Sequence, residues 1–168
     1  MELWDVYDAQ RNLLGRKHKR GTPMPKGEYH LAVFVWVFND KGEVLLTKRS
    51  PEKRSYPNMW ALTGGAVLAG ESSLAAVQRE LFEETGIHAE LESFDLVDTY
   101  LRKDCICDIY FLRKDVPISK LVMQPGETCG ACWVCKEAFE RMRRNKEIAP
   151  PDAKRYCQLG EKLKEYLK

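Results

Sequence analysis

Residues Gly64–Ile87, GGAVLAGESSLAAVQRELFEETGI, decide how the rest of this chain is read. A glycine pair opens the stretch and Glu71 follows at a fixed offset. Arg79, Glu80, Glu83 and Glu84 then crowd into one short run that Gly86 closes. Ser72 or Ser73 suits a helix N-cap, Ala75, Ala76, Leu81 and Phe82 favour or pack a helix, and Gly86 stands where a left-handed C-cap residue belongs. The segment therefore reads loop, helix, loop. Positions three and four apart share a helix face, so Glu80, Glu83 and Glu84 project to one side. Leu74, Val77 and Leu81 offer another side to a core.

Carboxylates packed within one turn repel one another and weaken the helix unless something positive joins them. A hard divalent cation with oxygen ligands is the obvious partner. Magnesium suits the cluster better than zinc, because no His or Cys ligand set lies nearby and because magnesium commonly pairs with substrate phosphates. Three glutamates alone would more often be a solvated acidic face. The glycines and Glu71 at their set distances argue against that reading.

Gly65, five residues, Glu71, seven residues, Arg79-Glu80-Leu81, one residue, Glu83-Glu84, one residue, Gly86-Ile87 resembles the Nudix box, at nine positions across 23 residues. The resemblance implies an α/β/α sandwich with a mixed central sheet. It also implies attack of water on a diphosphate linked to another moiety, dependent on magnesium or on manganese as a substitute. By the same resemblance Glu80, Glu83 and Glu84 hold metal and serve acid/base work, and the Gly64 carbonyl is a further metal ligand. Glu71 and Arg79 brace the loop against the helix, with Gly65 and Gly86 supporting the site. Which glutamate is the base is left open.

A chain of 168 residues has room for one domain with a real core. The expected organisation is an N-terminal hairpin and loop over 1–28, a core over 29–148 and a C-terminal helix over 150–168. A formal charge of +2 argues neither for nor against a polyanionic partner, and no nucleic-acid footprint is expected. No apolar run approaches the roughly 20 residues that span a bilayer. MELWDVYDAQ lacks the basic-then-apolar pattern of a secretory signal, so the cytoplasm is the default expectation.

Six cysteines are then expected to be reduced thiols. Cys129, Cys132 and Cys135 form overlapping C-x-x-C spacings, but TCGACWVC has the composition of a strand, on which alternate residues face opposite ways. That suits tetrahedral zinc poorly, and small buried residues are the expectation instead.

Along the chain, Leu3 to Tyr7 and Leu13 to Lys17 read as a hairpin, followed by a loop with Pro23, Pro25, Gly21 and Gly27. Leu31 to Phe38 is a strand buried on both faces, and Glu43 to Lys48 returns beside it after the turn Asn39–Gly42. Arg49 to Thr63 is irregular and leads into Gly64, so it should wall the active site. Arg49 and Arg54 there could bind substrate phosphate, and Trp60 could stack on a planar group. Ala89 to Leu101 should be one or two strands with Asp95 and Asp98 toward solvent. Cys105 to Leu112 is a further strand, on which Asp108 is a surface or hydrogen-bonded group.

Glu127, in the loop before the strand with Trp133, corresponds to a further acidic residue that many Nudix enzymes bring to the metal or the water. Lys136 to Lys146 reads as a helix ended by Pro150-Pro151. Asp152 then caps a last helix with the stripe Tyr156, Leu159, Leu163, Leu167, which packs on this subunit or pairs subunits as a homodimer.

LWDVYD and EYHLAVFVWVFN are similar to the Nudix subgroup of isopentenyl-diphosphate isomerase. The type I isomerase needs a Cys in the segment before the helix, a Glu on a later strand and a pair of metal-binding His. Here WALTGGAV holds no Cys, CICDIYF holds no Glu, and only His30 falls where one such His belongs. A non-catalytic nucleotide-binding Nudix module is the other alternative, but such modules generally lose box glutamates and this chain keeps them. Hydrolysis of a small-molecule diphosphate is therefore the expected activity.

Overall fold

The computed structural model describes residues 2–168. Its elements in order are β1 (Leu3–Tyr7), β2 (Leu13–Lys19), β3 (His30–Phe38), β4 (Val44–Arg49), β5 (Trp60–Ala61), β6 (Thr63–Ala66), α1 (Ser73–Thr85), β7 (Phe94–Arg102), β8 (Cys105–Arg113), β9 (Thr128–Val134), α2 (Lys136–Arg144) and α3 (Pro150–Leu163).

The expected sandwich is present, and β3 is its spine. It runs parallel to β8 along its whole length, from His30 opposite Cys105 to Phe38 opposite Arg113, and antiparallel to β6 on its other edge. The seven strands from β3 to β9 form one mixed sheet. Alternation along β3 divides the core into two layers. Leu31, Val33, Val35 and Val37 face α1 through Ala76, Val77 and Leu81, whereas Trp36 and Phe38 face α2 and α3 through Phe139, Met142, Leu159 and Leu163. Each fully buried large side chain of this kind contributes about 1.5–3 kcal/mol of burial free energy. None of the described helices is long and apolar enough to cross a membrane.

Three expectations are corrected. The β3–β4 hairpin is only a corner, paired at Phe38–Val44, after which β4 leaves β3 to run with β9 and β5. The vacated edge of β3 is taken by β6, which carries the glycine pair. The segment after α1 carries one strand, β7, within the expectation and preceded by a single-turn 3-10 helix, Leu91–Ser93; Asp95 is exposed as expected, but Asp98 is half-buried instead of turned to solvent.

Pro150 and Pro151 begin the last helix instead of ending the previous unit. Proline is favoured in the first turn, where its missing N–H is not needed. Asp152 consequently lies inside α3, buried, accepting from the Leu62 N–H at 3.1 Å and pairing with Arg155. The stripe is spent within the chain. Leu159, Leu163 and Leu167 are buried, and Tyr156 stacks on Phe139 with ring centroids 4.6 Å apart.

Candidate active site

The helix is capped as its sequence demands. Ser72 accepts a hydrogen bond from the Ala75 N–H at 3.1 Å, and Gly86 takes φ 72° at the far end with its N–H on the Phe82 carbonyl. Between these caps α1 presents its acids to a cleft of about 340 Å³. Gly64, Gly65, Glu80, Glu83 and Glu84 line one side, and Arg49, Lys53 and Glu127 line the facing loops.

The glycine pair is a packing requirement. A Cβ at Gly64 would lie 2.2 Å from the Val33 carbonyl oxygen, and one at Gly65 would lie 2.4 Å from Cδ of Glu80. Strand β6 can therefore press against the β3 backbone only without a side chain at Gly64, whereas a side chain at Gly65 would have to displace the Glu80 carboxylate.

Arg79 organises the acids. Its Nε and Nη2 grip the two oxygens of Glu71 at 2.8 and 2.9 Å, and its Nη2 also donates to the Ala66 carbonyl at 3.1 Å. Nη1 reaches Glu80 at 2.7 Å and Glu83 at 3.2 Å. Burial alone would raise the Glu71 carboxyl, but Arg79 and the Leu68 N–H together carry it below the usual carboxylate range. Glu71 is thus a fixed anion that holds the loop to the helix.

Glu80 and Glu84 show the opposite balance. Burial, with help from Glu83 and Glu2, raises Glu80 despite Arg79. Glu84, only 8% exposed, is pushed up to about 8 by burial and by the neighbouring Glu80 and Glu127; the Gly64 main chain and Lys53 offset this only in part. Two buried acids with raised pKa beside a third carboxylate form a site that favours more positive charge than Arg79 and Lys53 supply. Among the described residues no His or Cys lines the cleft, and its carboxylates offer oxygen ligands, which is the donor set of magnesium or manganese. The donor chemistry fits such an ion, although among the described residues the oxygens of Glu80, Glu83 and Glu84 are not drawn together within 4.8 Å of one another.

Glu127 reaches this cleft from the loop before β9 and pairs there with Lys53. Arg49 lines the cleft, with its Nε held on the Ser55 carbonyl at 2.9 Å. Arg54 is exposed outside it. Trp60 packs half-buried against the second core layer, with Lys48 Nζ 5.8 Å from its ring centroid.

Two further lining residues, Glu2 and Arg20, come from the N-terminal hairpin and are ion-paired at 2.6 Å. The hairpin is laid over the loop before α1: the Ala69 N–H donates to the Leu3 carbonyl at 2.8 Å and the Gly70 N–H to Asp5 at 2.6 Å. No local pattern marks Glu2 or Arg20, because only the docking brings them to the cleft.

The cysteines and Asp108 lie elsewhere. Cys129 is exposed, Cys132 is half-buried on β9, and Cys135 occupies the N-cap position of α2. Cys105 and Cys107 are buried neighbours with their sulfurs 3.2 Å apart. Asp108 is fully buried and hydrogen-bonded, accepting two bonds from Arg11 at 2.7 and 2.6 Å, one from Thr99 at 2.8 Å and one from Ser73.

Comparison with known proteins gives the family and the fold. The NUDIX domain family model matches residues 28–159. An uncharacterised Nudix hydrolase of Listeria monocytogenes is 38% identical over 151 residues, covering 89% of each chain. An isopentenyl-diphosphate Delta-isomerase of Paenarthrobacter aurescens is 29% identical over 144 residues, covering 79% of this chain and 76% of its own. A crystal structure from Deinococcus radiodurans superposes with a TM-score of 0.75 at 22% identity, over 99% of this chain and 100% of that one. With a family model spanning most of the sequence and a glutamate-lined cleft beneath the matching helix, the chain belongs to the Nudix hydrolase family, a family of pyrophosphohydrolases.

Proposed function

We propose that this protein hydrolyses a small-molecule diphosphate linked to a second moiety, with magnesium as its ion and manganese as a substitute. The observation that carries the reading is the placement of the buried Glu84 and its neighbour Glu80 in one cleft with a facing wall of Arg49 and Lys53. Glu80, Glu84 and the Gly64 carbonyl would hold the ion, with Glu83 at the more exposed mouth of the cleft. When bound, the ion neutralises diphosphate oxygens and lowers the pKa of a water.

The chain's own residues supply the rest. Arg49 and Lys53 receive phosphate oxygens and orient the diphosphate across the cleft. Glu127, held by Lys53 on the wall opposite α1, faces the attacking water and accepts its proton, with Glu80 and Glu83 sharing the acid/base work. Arg79 and Glu71 keep the helix acids in register with the loop, so that none of this positioning is left to the moment of reaction.

The test is release of phosphate or nucleotide from a panel of diphosphates with magnesium and, separately, manganese. Glu83→Gln and Glu84→Gln should lose most turnover while keeping their circular dichroism, and Glu83→Gln should keep its melting transition as well. Absence of turnover across the panel with either ion would overturn the proposal.

An isomerase reading is favoured by the relatives of that name but not by the residues. The segment Trp60–Gly65 supplies no thiol to the cleft, and the carboxylate available on β8, Asp108, is consumed by Arg11, Ser73 and Thr99.

A further inference from the structure

Next to the glutamate cleft, and sharing Arg49 and Gly64 with it, lies a second cavity of about 210 Å³. Arg102 from the end of β7, Arg155 from α3, Phe34 from β3 and Tyr56 from the irregular loop also line it. A ligand held by its diphosphate at the glutamates can therefore extend past Gly64 into this space.

Arg155 is the unusual member. It is 2% exposed, and its guanidinium carbon sits 3.4 Å from the centroid of the Phe34 ring. Nε donates to the Tyr100 hydroxyl at 2.7 Å and Nη1 pairs with Asp152, but Nη2 is buried with no hydrogen-bond partner. A buried cationic N–H group without an acceptor is costly, and native structures seldom leave one without a reason.

The cavity's one acid does not supply the missing acceptor. Both oxygens of Asp152 are engaged, one by Arg155 and the other by the Leu62 N–H. Around this point the charge is cationic, with Arg49, Arg102 and Arg155 against Asp152 alone, and the N-terminal end of α3 adds its positive dipole. Among the described residues the two Nη groups of Arg49 make no hydrogen bond, its Nε being the one nitrogen engaged.

We propose that this cavity is a second anion subsite. It receives a phosphate monoester carried by the moiety beyond the diphosphate, so that the substrate class is a diphosphate with a separate, terminal phosphate. A phosphate suits it better than a carboxylate. Three guanidinium groups, one of them half-used, present donors from three elements to a dianion with three free oxygens, whereas a carboxylate is satisfied by one bidentate arginine. The assignment rests on the reading of the glutamate cleft as the diphosphate site.

Matched substrate pairs test it: NADP against NAD, ADP-ribose 2′-phosphate against ADP-ribose, and coenzyme A against dephospho-coenzyme A, each with magnesium. For at least one pair the phosphate-bearing member should show a kcat/KM at least tenfold higher. Arg102→Gln, which removes an exposed cation, and Arg155→Lys, which keeps a charge beside Asp152, should each cut that preference at least fivefold. Ratios within twofold of unity in all pairs, or a preference that survives both substitutions, overturn the subsite.

If none of the six compounds is hydrolysed, the pyrophosphohydrolase reading fails with this panel, and calorimetric titration of the same pairs then decides the subsite. Tighter binding of a phosphate-bearing member that both substitutions abolish sustains the subsite. Equal binding, or none, ends it.

Discussion

The carboxyl carbon of Glu80 occupies the space a side chain at position 65 would need, 2.4 Å from where the Cβ would stand. Gly65 does not lie in the left-handed region, so any cost of Gly65→Ala comes from this contact and not from the backbone. The methyl group must push Glu80 away from the loop, and Glu80 is tied to Arg79 at 2.7 Å. We expect magnesium affinity to fall by about 10–100-fold, the usual consequence of disturbing a ligand's support, with a melting shift of only a few degrees. Calorimetric titration with magnesium reads this, and an unchanged affinity would remove Glu80 from the metal site.

Glu84 makes the metal-free protein pH-sensitive. Its folded pKa of about 8 lies above its value of 4.5 in an unfolded chain, so the folded state binds more protons between those limits. Stability of the metal-free form should therefore decline as pH rises from about 5 to 8, with a slope of up to about 1.4 kcal/mol per unit. Magnesium must displace the proton, so its affinity should rise over the same range. Asp152, also raised by burial, adds a slope of the same sign. Glu84→Gln isolates the Glu84 part, because in that variant the parts of Asp152 and of Glu80, which burial also raises, persist. Denaturant midpoints from pH 5 to 8, in chelator, are the measurement, and a slope identical in both proteins would contradict the assignment.

The helix and its acids were legible from sequence because their causes are local. Ser72, Gly86 and the glutamate spacing act within one element, and the buried run Leu31–Phe38 marks the central strand without help. Strand pairing was less so: β4 obeys the turn at Asn39–Gly42 for one residue pair and then follows β9, whose partner residues lie some 80 positions away along the chain. The same limit hid Glu2, Arg20 and the cavity around Arg155, which exist only after distant segments dock. Pro150-Pro151 misled for another reason, since a proline pair stops a helix and starts one equally well.

Arg79 is not replaceable by lysine. One guanidinium serves both oxygens of Glu71, the Ala66 carbonyl, Glu80 and Glu83, and an ammonium cannot span that fan. Arg79→Lys should cost about 2–3 kcal/mol of folding stability, the scale of lost charge-assisted hydrogen bonds. It should also weaken magnesium binding near pH 6, because Glu80 loses the Arg79 hydrogen bond that opposes its burial. Retention of full magnesium affinity at that pH would show that Arg79 only supports the fold.

Asp108 fastens the hairpin to the core. Burial would raise its carboxyl, but the Arg11, Ser73 and Thr99 donors outweigh burial and hold it below the usual range. Its contribution is present above about pH 4 and lost as pH falls through the lower folded value. Asp108→Asn replaces one acceptor oxygen by a donor facing other donors and leaves Arg11 without its charge partner. Breaking a buried pair this way costs about 3–5 kcal/mol, less here because Arg11 is itself 37% exposed. The loss should fall first on β1 and β2, whose remaining ties to the core include the bonds at Tyr7, Leu3 and Asp5, the stacking of Trp4 on His30 and the buried Val6. Hydrogen exchange should therefore accelerate in residues 3–19 before it does in β3 or β8. Because Glu2 and Arg20 ride on that hairpin, kcat/KM should drop while magnesium affinity, set by α1, holds. Uniform acceleration across the sheet would mean that Asp108 supports the whole core and not the hairpin in particular.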